Sequence, residues 1–121
     1  MNAMKQCMNA LLIAGADDWV YLAEVLRIIE SVGGAPTESA RQRTLDLLRE
    51  VAEQRLIEIG DLRKDGFHKW QMPIGECLSR VEREWNALGR NPSLGEVCWL
   101  QITDRGRELG EQILKQREVS P

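Results

Sequence analysis

The length, composition and charge of the chain are those of one globular domain. At 121 residues, it can form a single domain over residues 1–121 and bury roughly two-thirds of its unfolded surface. The 43% hydrophobic and 29% charged residues argue against disorder, and no apolar run approaches the ~20 residues that span a bilayer. With 16 basic and 19 acidic side chains and a net charge of −3, the chain lacks the basic excess typical of nucleic-acid-binding domains.

The cysteines predict a reducing compartment and no metal site. Cys7, Cys77 and Cys98 each lie in an apolar pattern, which favours small buried hydrophobic side chains. One histidine in the whole chain cannot complete the ligand spacing of a zinc site. The amino terminus shows no export-signal pattern. We therefore expect a cytoplasmic protein that uses no metal or cofactor and does not enter a membrane.

The first third of the chain predicts two amphipathic helices. The first covers residues 2–14 and ends at Gly15. Asp17 and Asp18 are placed to cap the second helix. Its apolar side chains follow the i, i+3, i+4, i+7 pattern of a helix with one buried face: Leu22, Val25, Leu26 and Ile29.

The middle of the chain predicts a third helix that runs almost directly into a β-hairpin. Ser39 and Gln42 have the spacing of a capping box at the start of this helix. Residues 56–62 then alternate between apolar and polar side chains, as a strand with one buried face does. The pair Asp65 and Gly66 favours a tight turn, so residues 67–71 are expected to return as the second strand.

The last third predicts a helix, a strand and a closing helix. An apolar stripe extends over residues 73–88 and ends at Gly89, and a strand is expected at residues 96–102. The final helix follows Thr103 as its cap. Gly106 and Gly110 lie on one face of that helix, so we expect another element to approach this face closely.

Two segments resemble parts of a winged-helix domain. The stretches LLREVAEQRLIEIGDL and WLQITDRGRELGEQ are similar to the corresponding parts of bacterial regulators of the multiple-antibiotic-resistance type. The motif Leu-Thr-x-x-Gly, which opens the last helix in that family, is represented here by Ile102, Thr103, Asp104, Arg105 and Gly106. The resemblance covers residues 19–114 and implies a mainly helical α+β, winged-helix-like domain. The helix at residues 73–88 departs from the family, so an extra helix is expected between strands.

The winged-helix resemblance implies a transcriptional regulator that binds DNA, either as a monomer or as a homodimer. The third helix would enter the major groove and the hairpin would hold phosphates. The residues concerned are Ser39, Gln42, Arg43 and Arg49 on the helix and Arg63, Lys64 and Lys69 on the hairpin. Basic clusters of this size are also common on ordinary solvated surfaces. We rank DNA binding second, because the outward face of the third helix is acidic.

Helical periodicity predicts which residues form that acidic face. With Thr44 at the centre of the buried side and 100° per residue, the outward side chains include Asp46, Arg49, Glu50 and Glu53. Three carboxylates repel the phosphates of a duplex but attract a basic protein. The fragments DDWVYLAEV and GFHKW also resemble small bacterial proteins of the toxin-immunity type. We therefore expect a protein-binding module of the immunity or antitoxin type that neutralises a basic partner, such as a nuclease toxin.

The tryptophans divide into two expected core residues and two candidate anchors. Trp85 on an apolar helix stripe and Trp99 in a strand are predicted to be buried. Trp19 and Trp70 lie at the ends of elements, where each either covers the edge of the core or anchors a partner. His68 has no evident partner nucleophile, and no phosphate loop or nucleophile motif is present. We therefore expect no enzymatic activity.

Overall fold

Residues 2–119 fold into five helices and one four-stranded antiparallel sheet. The computed structural model describes residues 2–119. The elements follow in the order α1 (Ala3–Ala14), β1 (Val20–Tyr21), α2 (Leu22–Ser31), α3 (Thr37–Glu53), β2 (Ile57–Arg63), β3 (Gly66–Lys69), α4 (Ile74–Leu88), β4 (Trp99–Ile102) and α5 (Asp104–Val119). The predicted class, α+β and mainly helical, is confirmed, and α4 is the helix expected between strands. In the described part of the chain, no helix is long and apolar enough to cross a membrane.

The sheet has the strand order β1-β4-β2-β3, and its two faces differ in burial. Leu100 pairs with Val20 on one side and with Ile59 on the other. These three side chains are at most 5% exposed and belong to the hydrophobic core that the helices complete. Successive side chains in a strand point to opposite faces. The paired residues Tyr21 and Trp99 therefore lie on the outer face of the sheet, where both are half-buried.

The short strand β1 corrects the expected start of the second helix. Asp17 and Asp18 do not cap α2, which begins at Leu22 with Tyr21 in the cap position. The Asp18 carboxylate instead accepts a hydrogen bond from the backbone N–H of Trp19 at 2.8 Å. Because β1 exists through its pairing with β4, a contact distant in sequence, local periodicity gives no sign of it.

The predicted capping box at the start of α3 is wrong. The helix begins at Thr37 with Pro36 in the cap position, and within residues 2–119 no side chain caps it. Ser39 therefore lies inside the first turn, where its hydroxyl donates to the Pro36 carbonyl at 3.3 Å. The Gln42 side-chain amide donates to Asp46 at 2.9 Å, one turn further along the helix.

The predicted cap of α5 is confirmed, and it also ties this helix to the end of α3. The Thr103 hydroxyl accepts a hydrogen bond from the Gly106 N–H at 3.1 Å and donates one to the Arg55 carbonyl at 2.7 Å. A Cβ on Gly106 would lie 2.3 Å from the Leu56 carbonyl oxygen, and one on Gly110 would touch the backbone of α1. The expected close approach at this glycine face is therefore confirmed.

Most side chains predicted to be buried lie in the core. Trp85 is 2% exposed, as predicted. Cys7, Cys77 and Cys98 are buried and form no disulfide among the described residues. Burial raises the pKa of the Cys77 thiol, which lowers the fraction present as thiolate. Trp99, by contrast, is half-buried because β4 turns it to the outer face of the sheet.

The strand β4 is shorter than predicted because Glu96 belongs to a loop. The Arg90 guanidinium donates to both Glu96 carboxylate oxygens, at 2.7 and 2.8 Å, and the Ser93 backbone N–H donates to one of them at 2.7 Å. These hydrogen bonds hold the pKa of the Glu96 carboxyl well below its ordinary value. Val97 then adopts a φ of 73°, which interrupts the extended backbone before β4 begins.

Candidate protein-binding surfaces

The acidic face predicted on α3 is exposed to solvent. We define the acidic face as Asp46, Arg49, Glu50 and Glu53, all of which are exposed. The opposite side of the helix is packed into the core through Thr44, Leu47, Leu48 and Val51, each 0% exposed. Packing against the core therefore fixes the rotation of α3, and it turns three carboxylates and one guanidinium toward the solvent.

Hydrogen bonds within the acidic face orient its carboxylates without removing their charge. The Gln42 amide donates to Asp46 at 2.9 Å, and the Gln54 amide donates to Glu50 at 2.6 Å. Arg49 lies 3.8 Å from Glu53, and both side chains are more than half exposed, at 58% and 56%. An exposed i,i+4 ion pair of this kind contributes only about 0.3–0.5 kcal/mol. The face therefore keeps an excess of negative charge that a partner can use.

The helix α4 adds a carboxylate beside the acidic face. A small groove of about 80 Å³ separates α3 from α4, and its lining includes Asp46, Arg49, Ser79 and Glu82. Glu82 is exposed, so it extends the negative surface from one helix to the next. Sequence reasoning missed this residue, because the docking of α4 onto α3 is a tertiary contact.

The helix residues proposed to contact DNA differ in how free their side chains are to reach a base. The Ser39 hydroxyl donates to the backbone of its own helix, and the Gln42 amide donates to Asp46. Arg43 is exposed, and it lies at the other edge of α3 beside a cavity lined by Met4 and Cys7 of α1. Arg43 is thus separated from the α4 side of the acidic face.

The hairpin residues proposed for phosphate binding divide into two groups. Arg63 and Lys64 are exposed at the turn between β2 and β3. Lys69 is 3.5 Å from Glu58, so its charge is partly neutralised. His68 Nε2 lies 2.6 Å from the Asp65 carboxylate, and this contact lowers the pKa of Asp65. The structure therefore brings Arg63 and Lys64 together at the hairpin tip, next to the Asp65 carboxylate, and places Lys69 elsewhere.

Only one of the two candidate tryptophan anchors is accessible. Trp70 is 4% exposed, so the expectation of an exposed anchor is wrong for this residue. Its backbone N–H continues the pairing with β2 by donating to the Ile59 carbonyl at 3.0 Å, which turns its side chain inward. The Arg80 guanidinium covers its ring at 3.8 Å. Trp19 is 37% exposed and donates through Nε1 to Gln101 at 3.1 Å.

Trp19 belongs to a second surface, the aromatic sheet face, which sequence reasoning did not identify. We define it as the partly exposed outer side chains Trp19, Tyr21, Leu62, Phe67 and Trp99. The Tyr21 and Trp99 rings meet edge to face with centroids 5.6 Å apart, and Leu62 pairs with Phe67 across β2 and β3. Four of the six aromatic residues of the chain lie here, so this face is suited to protein contacts.

The structure does not bring Trp19 and the acidic face together. The residues of α3 opposite the acidic face pack in the core on the inner side of the sheet. The Trp19 indole donates a hydrogen bond to the Gln101 side chain. Gln101 lies between the inward-facing Leu100 and Ile102 in β4, so its side chain is on the outer side of the sheet. A partner that covers the acidic face would therefore not use Trp19 as an anchor in the same contact.

Comparison with known proteins adds no family to this description. No family model, no curated protein and no solved structure matches the chain. Within residues 2–119, no group of three or more His, Cys, Asp or Glu side chains is placed to hold a metal ion.

Proposed function

We propose that the protein is a non-enzymatic binding module of the immunity or antitoxin type, which neutralises a basic protein partner through the acidic face. This proposal rests on the exposure of Asp46, Glu50 and Glu53 along one side of α3. Arg49, the one cation of this face, lies 3.8 Å from Glu53. Glu82 of α4 extends the same negative surface.

Electrostatics favours a basic protein over DNA at this surface. Carboxylates that are held in place attract a cationic partner from a distance and accelerate its association. The same carboxylates repel the phosphates of a duplex. The glutamine amides at Gln42 and Gln54 hold two of the carboxylates, so less side-chain freedom is lost on binding.

A capture experiment tests the proposal. The wild-type protein, immobilised and exposed to lysate of its native host, should retain a basic protein. The triple variant Asp46→Asn, Glu50→Gln, Glu53→Gln should not retain it, because it removes the three charges and keeps similar side-chain shapes. A matched control removes three exposed carboxylates on α2 and α5, at Glu30, Glu108 and Glu111. Recovery of promoter DNA alone, or equal recovery by the triple variant, contradicts the proposal.

The second candidate function is a winged-helix transcriptional regulator, in monomeric or dimeric form. One observation favours it: the helices α2 and α3 precede a hairpin whose exposed tip carries Arg63 and Lys64. Replacing one phosphate-contacting lysine such as Lys64 with alanine should lower the salt dependence of duplex binding by about one unit. If the purified protein has no salt-sensitive affinity for duplex DNA at low ionic strength, this candidate is excluded.

A further inference from the structure

A cleft of about 490 Å³ lies between the end of α3, the edge of β2 and the start of α4. Its walls are mainly apolar and include Ile57, Trp70 and Ile74, while the charged side chains of Arg55, Glu58 and Lys69 also line it. Concave, mainly apolar sites with a few polar groups are the usual places for a ligand to bind. The cleft is separate from the acidic face.

One side of the cleft is the edge of β2 at Ile57, where one residue of the strand lacks a neighbouring strand. The Ile59 carbonyl accepts from the Trp70 N–H at 3.0 Å, and the Leu56 carbonyl accepts from the Thr103 N–H at 3.0 Å. Because backbone groups alternate in direction along a strand, the N–H and C=O of Ile57 point to the same side as those of Ile59. On that side β3 pairs only with the later part of β2, and among the described residues no strand lies beside Ile57.

Arg55 faces this cleft from a backbone position that favours glycine. The Arg55 N–H donates to the Ala52 carbonyl at 3.0 Å and the Leu56 N–H donates to the Val51 carbonyl at 2.9 Å, which is the hydrogen-bonding pattern of a Schellman motif. Arg55 has a φ of 60°, a conformation that glycine adopts more readily. Its side chain is exposed and forms no ion pair in the described part of the chain. The backbone that carries this cation is therefore fixed beside the cleft.

Trp70, which lines the cleft, carries a buried hydrogen-bond donor without an acceptor in the described part of the chain. Trp70 lines the cleft and is 4% exposed, and within residues 2–119 no atom accepts a hydrogen bond from its Nε1. A buried N–H that has lost water and gained no acceptor is unfavourable.

We propose that the cleft binds the carboxyl-terminal end of an extended peptide from a partner protein. The peptide main chain adds to the edge of β2 at Ile57, an apolar side chain fills the cleft, and the terminal carboxylate pairs with Arg55. Lys69 is already 3.5 Å from Glu58, which leaves Arg55 to provide the charge complementarity. This binding site does not depend on the acidic face and goes beyond the function proposed above.

Selection from a library of random heptapeptides with free carboxyl ends tests this site on the full chain. We expect the enriched sequences to end in an apolar residue. Synthetic peptides of those sequences should bind about tenfold or more tightly as free acids than as carboxyl amides, since a charge-assisted hydrogen bond is lost in the amide. The variant Arg55→Gly, in which glycine suits the backbone, should lose the same factor, while Arg83→Gln, an exposed cation outside the cleft, should not.

Three outcomes would overturn this site. The first is that selection on the wild-type protein enriches no peptide sequence beyond those enriched by selection on the Arg55→Gly variant. The second is equal binding of the acid and the amide. The third is decanoate, an apolar acid without peptide groups, binding as tightly as the selected peptides, which would assign the cleft to a small molecule. The triple variant of the acidic face should keep peptide binding, so this site and the proposed function can fail separately.

Discussion

The Thr103 hydroxyl donates to the Arg55 carbonyl at 2.7 Å, so the cap of α5 also holds the end of α3. Replacing Thr103 with alanine removes this bond and the cap on the Gly106 N–H together. We expect the free energy of unfolding to fall by about 1–2 kcal/mol, measured by urea denaturation. Thr103→Ser retains the hydroxyl and should recover most of the loss. Equal destabilisation by both substitutions would mean that the methyl group, not the hydroxyl, matters here.

Replacing Arg55 with glycine should stabilise the fold. Arg55 occupies a left-handed conformation at the end of α3, which disfavours a residue with a Cβ by about 1 kcal/mol. Urea denaturation should show a gain of up to about that size for Arg55→Gly. Arg55→Ala removes the same charge but keeps the Cβ, so it should show no gain. Equal stabilities of the two variants would contradict a strained backbone at this position.

The surroundings of two helical glycines, Gly106 and Gly75, predict opposite effects of an added methyl group on stability. A Cβ at Gly106 would lie 2.3 Å from the Leu56 carbonyl oxygen, a backbone atom that can move little. Gly106→Ala should therefore lower the free energy of unfolding by about 1–3 kcal/mol, which a lower midpoint of thermal unfolding would report. Gly75→Ala adds a methyl group in open space within α4 and should stabilise by about 0.5 kcal/mol. Stability changes of the same sign for the two substitutions would contradict this account.

The loop before β4 should respond to pH through Glu96. Hydrogen bonds from Arg90 and Ser93 hold the pKa of the Glu96 carboxyl below its ordinary value. The ionised carboxylate therefore stabilises the loop fully above the ordinary pKa of about 4.3, and this contribution is lost as the pH falls through the lower folded value. A carbon-detected NMR titration should show a depressed midpoint for Glu96, which Arg90→Ala raises. An ordinary midpoint in the wild type would contradict the geometry.

Much of the fold could be predicted from the sequence, because helices with strong apolar stripes report their buried faces locally. The helices α3 and α4, the hairpin at Asp65 and Gly66 and the cap at Thr103 all follow from such local signals. The strand β1 could not be predicted, since Val20 and Tyr21 become a strand only by pairing with β4. Its residues carry no periodicity of their own.

The surfaces were predictable to different degrees for the same reason. The acidic face on α3 follows from 100° per residue and a known buried side. The burial of Trp70 depends on α4 bringing Arg80 over its ring, and the aromatic sheet face depends on β1 lying beside β4. The addition of Glu82 to the acidic surface likewise requires α4 to lie against α3. Each of these is a contact between elements distant in sequence.

The most direct test of the central claim is the association rate constant of the captured basic partner at several salt concentrations. For the wild type, the rate constant should fall by about tenfold or more between low salt and 0.3 M salt, because ions screen the acidic face. The variant Asp46→Asn, Glu50→Gln, Glu53→Gln should associate slowly at low salt and show little salt dependence. The control variant with neutral residues at Glu30, Glu108 and Glu111 should behave like the wild type. An unchanged rate constant and salt dependence in the acidic-face variant would contradict the claim that this face recognises the partner.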